Sequence, residues 1–174
     1  MSDFPPNTLS LVADVGGTNT RVALANGSEL LANTVKKFRN TDYPGLDTVL
    51  ELYVQEKNVD CVAAAAAIAG PVRDGKGTLT NLDWSIDAGT LARATKAEKV
   101  AVLNDLQAQG YGVGVITGEN LIEVAPGREA SQGATNLVIG VGTGFNAAPV
   151  FQTGGTRFVP PSESGHINLP PRTE

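Results

Sequence analysis

Short apolar runs separated by glycine or polar turns occupy the first 40 residues. The run Thr8–Asp14 ends at Gly16-Gly17, and a second run extends over Arg21–Ala25. Two apolar runs joined by a short glycine turn are typical of a β-hairpin. A further run over Leu30–Phe38 predicts a third strand after this hairpin.

The segment Pro44–Val54 has the spacing of an amphipathic helix. Thr41 and Asp42 precede it and are candidate N-caps. Apolar residues recur at positions i, i+3, i+4, i+7 and i+8, which places them on one helical face: Leu46, Val49, Leu50, Tyr53 and Val54. We therefore predict a helix here.

The run Cys61–Ala69 contains five consecutive alanines, at positions 63 to 67. Alanine favours helix by intrinsic propensity. However, the run is short and stops at Gly70-Pro71, and small side chains suit a strand covered on both faces. We predict a buried strand.

Four shorter elements are expected after this strand. The pattern predicts a strand at Gly77–Asn81, a helix over Ser85–Thr95 capped by Ser85, a strand at Val100–Leu103 and a helix over Leu106–Val115. The strand Val100–Leu103 ends abruptly at the polar pair Asn104-Asp105. Polar side chains at the carboxyl end of a strand are positioned for a ligand.

The polar stretch from Gly127 to Ala134 separates two parts of the chain. After it, apolar runs flank a glycine turn, which repeats the plan of the first hairpin: Leu137–Val141, then Gly142, Thr143 and Gly144, then Ala147–Phe151. We expect a small N-terminal domain over residues 1–110 and the start of a second, larger domain over residues 111–174.

Composition narrows the classes of function. The 174 residues include 13 Lys and Arg against 18 Asp and Glu, and the net charge of −5 argues against a basic nucleic-acid-binding face. The single cysteine, Cys61, supplies neither an intramolecular disulfide nor a multi-thiolate zinc site. No apolar run reaches the ~18 residues of a membrane span. We expect a cytoplasmic globular protein whose partners are neither nucleic acid nor membrane.

The segment Asp14–Asn19 is the first candidate site. Gly16 and Gly17 let backbone N–H groups approach an anion, and Thr18 and Asn19 add side-chain donors, which suits phosphate. The Asp14 carboxylate would repel phosphate unless a hydrated magnesium ion lay between them. The simpler interpretation is a hairpin turn that needs glycine, with Asp14 bonded to the turn.

Three further segments carry candidate chemistry, each with a simpler alternative. Gly142-Thr143-Gly144 is a second candidate phosphate turn, or a plain glycine hairpin. Asp105 could accept a proton from an alcohol that attacks phosphorus, or could cap the following helix. Glu163 and His166 could bond two neighbouring sugar hydroxyls, or could belong to a solvated loop.

Together these segments resemble bacterial glucokinases, of the superfamily that includes hexokinase, acetate kinase, Hsp70 and actin. Leu11–Arg21 and Gly140–Gly144 are similar to the two phosphate motifs of the family. Leu103–Ala108 resembles the stretch that carries the catalytic aspartate, and Glu163–His166 resembles the sugar-binding Glu-x-Gly-His. Thr80-Asn81, with Trp84, resembles a further segment near the sugar cleft.

The resemblance implies an α/β fold of the ribonuclease H-like (actin-like ATPase) type. This fold is a mixed sheet flanked by helices, followed here by the incomplete start of a second similar domain. The implied activity is phosphorylation of glucose by ATP with Mg²⁺. The implied general base is Asp105, and the implied sugar-binding residues are Asn104, Glu163, His166 and Asn81. The implied phosphate-binding residues are Gly16, Gly17, Thr18, Asn19, Gly142, Thr143 and Gly144, with Asp14 holding the metal through water.

Two departures from the family pattern change the expectation. Gly144 is followed by Phe145-Asn146, where the family continues with Leu-Gly. The family's enzymes are nearly twice as long, so we expect the chain ending at Glu174 to be an inactive fragment that lacks the adenosine-binding loop.

Two other classes of protein and the oligomeric state stay open at this point. A sugar-responsive transcriptional regulator needs an N-terminal DNA-binding module, but the first strand already starts by Leu9. An actin-like assembly protein would have no use for Glu163 and His166. The resemblance also leaves a homodimer open.

Overall fold

The computed structural model describes residues 8–79, 82–116, 118–131, 133–141, 145–162 and 164. The chain divides into two compact units, one up to Asp105 and one from Leu106 onward. The domain assignment made from the sequence, residues 1–110 and 111–174, stays a prediction.

The first unit is built on a mixed six-stranded sheet and a small three-stranded sheet. Its strands are β1 (Leu9–Val15), β2 (Asn19–Asn26), β3 (Glu29–Leu30), β4 (Lys36–Arg39), β5 (Cys61–Ile68), β6 (Val72–Arg73), β7 (Lys76–Thr78), β8 (Ser85–Asp87) and β9 (Lys99–Asn104). The large sheet has the order β3-β2-β1-β5-β9, with β4 also paired to β2, and the small sheet has the order β6-β7-β8. The antiparallel pairing of β1 with β2 confirms the predicted hairpin.

The alanine-rich segment is strand β5, as predicted, and its position in the sheet explains why. It pairs in parallel with β1 on one side and with β9 on the other. Ala64, Ala66 and Ile68 are buried, and the intervening residues are half-buried. Hydrogen bonding to two neighbours outweighs the helix propensity of alanine, which is a preference of well under 1 kcal/mol per residue.

Helices α1 (Leu46–Lys57) and α2 (Ala88–Thr95) complete the first unit. The five apolar residues predicted to share a face of α1 are all buried. The predicted caps Thr41 and Asp42 are wrong, because Gly45 is the N-cap residue and makes no side-chain capping bond. Both predicted caps belong instead to a preceding 3₁₀ turn, Asn40–Asp42.

The single strand predicted over Leu30–Phe38 is also wrong, because a 3₁₀ turn at Ala32–Thr34 separates β3 from β4. The buried Thr34 explains the break. Its hydroxyl accepts a hydrogen bond from the Leu24 N–H at 2.9 Å and donates one to the Leu31 carbonyl at 2.6 Å. Short polar side chains that bond the backbone locally favour turns over continued strand.

The helix predicted over Ser85–Thr95 starts later than expected. Ser85 lies in β8, paired with Thr78 of β7, so it cannot cap a helix. Asp87 is the N-cap residue of α2, and its Oδ1 accepts from the Thr90 N–H at 2.7 Å. The strand predicted at Gly77–Asn81 is seen as β7, Lys76–Thr78; residues 80 and 81 lie outside the described residues.

The second unit contains helix α3 and a three-stranded antiparallel sheet. Its elements are α3 (Asp105–Gly112), a 3₁₀ turn (Gly118–Asn120), β10 (Asn136–Val141), β11 (Phe145–Thr153) and β12 (Thr156–Phe158). The predicted pairing of the two apolar runs is confirmed, whereas β12 was not predicted. The helix predicted to reach Val115 ends at Gly112, because Gly114 adopts a φ of +81° that no right-handed helix contains.

A small apolar core holds the second unit together. It consists of Leu106 on α3, Ala148 and Val150 on β11, and Val159, which follows β12. The Gln107 amide donates to the Val159 carbonyl at 2.9 Å and adds a buried polar link. None of the helices that the structure describes is long and apolar enough to cross a membrane.

Candidate functional site

The Gly16–Asn19 turn joins β1 to β2 at one edge of the large sheet. The Gly16 N–H donates to the Asn19 carbonyl at 3.0 Å, so the turn is tight. A Cβ atom on Gly16 would lie 3.3 Å from that carbonyl oxygen, closer than most real Cβ contacts. Gly17 is half-buried and Thr18 is exposed. A turn of this kind lets an anion approach the backbone N–H groups, so its shape fits a phosphate.

Asp14 is the penultimate residue of β1, two positions before Gly16. Its Oδ2 accepts from Nη1 of Arg21 at 3.0 Å, and both side chains are about 60% exposed. The two residues are direct cross-strand neighbours in the hairpin. An ion pair this exposed contributes ~0–1 kcal/mol, so a metal ion or a phosphate can compete for either partner.

The surroundings of Asp14 fit a magnesium ion that is held mainly by water and phosphate. In the described parts of the chain, no group of three or more His, Cys, Asp or Glu side chains is arranged to hold a metal. Magnesium commonly keeps several water ligands and takes one or two carboxylates together with substrate phosphates. A single carboxylate beside a candidate phosphate turn is compatible with that kind of site.

Asn104 and Asp105 lie where β9 ends and α3 begins. Asn104 is buried, and its Nδ2 donates to the Gly70 carbonyl at 3.1 Å. Helix α3 begins at Asp105, one residue earlier than predicted. The half-buried Asp105 carboxylate is therefore in the first helical turn, where the helix dipole favours negative charge.

The sheet brings these two segments to one edge. Strands β1, β5 and β9 are parallel, so their carboxyl ends coincide, and Val15, Ile68 and Asn104 stand in one register row. Strands lie about 4.8 Å apart, so the backbones of Val15 and Asn104 are separated by about 10 Å. A phosphoryl group and the hydroxyl that receives it fit within such a gap.

Asn40 is a residue of this region that sequence reasoning missed. Its side chain is fully buried and contacts the Gly16–Asn19 turn. Nδ2 donates to the Gly16 carbonyl at 2.8 Å, and the backbone N–H donates to the Thr18 carbonyl at 3.0 Å. Oδ1 accepts from the Thr20 hydroxyl at 2.9 Å. No local pattern marks Asn40, because its partners lie about 20 positions earlier in the chain.

Six predicted site residues lie outside the described residues: Asn81, Gly142, Thr143, Gly144, Glu163 and His166. Their roles stay predictions. The neighbouring Ser164 is described, and its hydroxyl accepts from the Ala147 N–H at 2.8 Å and donates to Oδ1 of Asn146 at 3.1 Å. The Asn146 amide also donates to the Ser162 carbonyl at 3.0 Å. Asn146, which departs from the family pattern, therefore bonds residues on either side of Glu163.

Comparison with known proteins gives a consistent result. The glucokinase family model matches residues 11–174. A glucokinase of Nostoc sp. is 33% identical over 172 residues, covering 96% of this chain and 50% of that protein. A glucokinase of Escherichia fergusonii is 30% identical over 165 residues, covering 95% of this chain and 51% of that protein. This chain therefore spans about half the length of these curated relatives.

The fold comparison agrees. The crystal structure of a glucokinase from an Antarctic psychrotroph superposes with a TM-score of 0.81 at 30% identity, covering 96% of this chain and 53% of that one. The mixed α/β fold expected from the sequence is thereby confirmed.

Proposed function

This chain belongs to the glucokinase family, and on that premise we propose that the full-length protein transfers the terminal phosphoryl group of ATP to the 6-hydroxyl of glucose. One observation carries the proposal: the Gly16–Asn19 turn and the Asn104-Asp105 pair lie at the same edge of one sheet, two strands apart. A phosphate-binding turn and a carboxylate at that separation suit transfer between a nucleotide and an alcohol.

In this proposal, Asp105 is the general base. Its carboxylate accepts the proton of the 6-hydroxyl as that oxygen forms a bond to the terminal phosphorus of ATP. The bond between this phosphorus and the oxygen bridging to the next phosphate breaks, and ADP leaves with the bridging electron pair. The reaction is balanced, because the proton lost by glucose is held on Asp105 until solvent takes it.

The remaining residues bind and orient the two substrates. Backbone N–H groups of Gly16–Asn19 and of Gly142–Gly144 hold phosphate oxygens, and Asp14 would hold a magnesium ion through water. Bound magnesium would neutralise charge on the transferred group. Asn104, Asn81, Glu163 and His166 bond the sugar hydroxyls, and the bond from Asn104 to the Gly70 carbonyl fixes its side chain in place.

The proposal also covers the setting of the protein. We propose a cytoplasmic enzyme that needs neither nucleic acid nor membrane as a partner. The net charge of −5 supports the exclusion of nucleic acid, because the chain offers no basic excess for a polyanion.

The test is Asp105→Asn in the full-length protein, assayed by coupling glucose 6-phosphate formation to NADP reduction. We expect kcat to fall by about 10²–10⁴, the usual contribution of a general base, while glucose binding survives. Asp47→Asn is a matched control, because Asp47 is likewise an acidic residue in a first helical turn, that of α1. Near-normal turnover of Asp105→Asn would reject the catalytic role.

A further inference from the structure

We propose that Asn40 is a positioning residue that aims the Gly16–Asn19 turn at nucleotide phosphate. The inference rests on the proposed function, since it presumes that this turn binds phosphate. Asn40 itself is fully buried and would touch neither substrate. Its effect would pass through the peptide groups that it holds.

The bonds of Asn40 reach two peptide groups of the turn. Its Nδ2 holds the Gly16 carbonyl at 2.8 Å, and its backbone N–H holds the Thr18 carbonyl at 3.0 Å. The first of these carbonyls belongs to the peptide group that links Gly16 to Gly17. A trans peptide is planar, and its N–H points opposite to its C=O. The Gly17 N–H is therefore directed away from Asn40 and from the buried side of the turn.

Anchoring matters here because the held peptide joins two glycines. Glycine reaches most backbone conformations at little steric cost, so an unanchored Gly-Gly peptide can rotate its N–H away from a ligand. A donor that is already oriented costs less free energy to use on binding. Asn40 thus supplies rigidity that the turn's own sequence lacks.

The side chain has to be an amide to make these bonds together. Oδ1 accepts from the Thr20 hydroxyl at 2.9 Å, which leaves Nδ2 facing the Gly16 carbonyl. An ionised aspartate of the same shape would place a second acceptor oxygen against that carbonyl. The bond to Gly16 would be lost and replaced by repulsion between two acceptors, whereas alanine would remove both side-chain bonds.

The experiment uses the full-length protein and the variant Asn40→Asp, with Asn40→Ala as a second variant in case the first does not fold. Binding of MgADP is measured by calorimetry, together with the KM values for ATP and for glucose. We expect MgADP affinity to fall about 10-fold, the effect of weakening one hydrogen bond from the Gly17 N–H to a charged phosphate oxygen. The KM for ATP should rise in parallel, and the KM for glucose should stay within about twofold.

A matched control separates positioning from general destabilisation. Thr95 is buried like Asn40, and its hydroxyl donates to the Leu91 carbonyl at 2.7 Å at the end of α2. Thr95→Val should lower the melting temperature as Asn40→Ala does, yet leave MgADP affinity unchanged. Equal MgADP affinity in the Asn40 variants and in Thr95→Val would overturn the proposal.

The same measurements distinguish this inference from the proposed function. A wild-type protein that binds MgADP but does not phosphorylate glucose would reject glucose as the substrate. The calorimetric comparison of the Asn40 variants would still decide the positioning role. A wild-type protein that binds no MgADP would overturn both.

Discussion

Gly77→Ala is expected to destabilise the first unit through a single steric conflict. Gly77 is buried in β7, which contacts the large sheet. An added Cβ would lie 2.5 Å from Cδ1 of Ile68 and 3.3 Å from Cγ1 of Val102. The φ of Gly77 is not in the left-handed region, so alanine would suffer no backbone strain there. The whole cost should come from packing.

The size of the effect follows from the burial of Ile68. Carbon atoms in favourable contact lie about 3.5–4.0 Å apart, so a separation of 2.5 Å forces one atom to move. Ile68 is 2% exposed and cannot turn its δ-methyl into solvent. Overpacking of this kind costs about 1–3 kcal/mol. For a domain of about 100 residues that unfolds as its own unit, each kcal/mol corresponds to about 4–8 °C in melting temperature.

A double-mutant cycle tests the stated cause. Ile68→Val removes the δ-methyl and should cost about 0.5–1.5 kcal/mol alone. Because the valine leaves room for the new Cβ, Gly77→Ala with Ile68→Val should be more stable than the sum of the single changes by at least about 1 kcal/mol. Thermal and guanidinium unfolding of the four full-length proteins, followed by circular dichroism, measures this coupling.

Gly75→Ala is the control for the cycle. Gly75 has a φ of +72° and no atom within 4 Å of an added Cβ, so its substitution introduces backbone strain without a clash. Its effect should add to that of Ile68→Val. Coupling between Gly77 and Ile68 within about 0.5 kcal/mol of zero would show that the reasoning about Ile68 is wrong.

Two further predictions concern pH. Burial, together with the nearby Asp60 carboxylate, raises the pKa of Cys61 from 9.0 to about 11. Between these pH values the unfolded chain releases the thiol proton while the folded state keeps it, so the free energy of unfolding of the wild-type protein should fall as the pH rises from 9 to 11. Urea unfolding of the wild-type protein and of Cys61→Ala, which lacks this thiol, measures the difference. The hydrogen bond from the Thr90 backbone N–H lowers the pKa of Asp87. The ionised Asp87 cap therefore stabilises the fold at pH values above the usual aspartate pKa, and this stabilisation is lost as the pH falls through the lowered pKa of the folded state. Asp87→Ala should lower the melting temperature at pH 7 and lower it less near pH 3, whereas Asp87→Asn should retain the cap at pH 7. A decrease in melting temperature for Asp87→Ala that is the same at both pH values would contradict this.

The elements that the sequence predicted correctly are those set by local patterns. The apolar spacing of α1 and the two runs around Gly16-Gly17 depend on neighbouring residues alone. For the same reason, the Gly16–Asn19 turn could be recognised as a candidate phosphate site, because the glycines and polar residues that mark it are consecutive in the sequence.

The errors arise where distant partners decide the structure. Ser85 was predicted to cap α2, but pairing with Thr78 draws it into a strand and shifts the cap to Asp87. The bonds of Thr34 to Leu24 and Leu31 form because the chain turns back toward β2, and the spacing of apolar residues does not indicate this turn. Asn40 escaped notice in the same way. Its role depends on Gly16, 24 positions earlier in the chain.

The alanine-rich strand β5 has a consequence for how the chain folds during synthesis. Ala65 pairs with Val12, 53 residues earlier, and with Ala101, 36 residues later. Before β9 leaves the ribosome, β5 has only one of its two partners, and its alanines favour helix. Parallel pairing over such separations also closes large loops, which slows folding. Strand β5, which lies between β1 and β9, therefore gains its second partner only after β9 has been synthesised, and the row that aligns Val15, Ile68 and Asn104 can be complete only then.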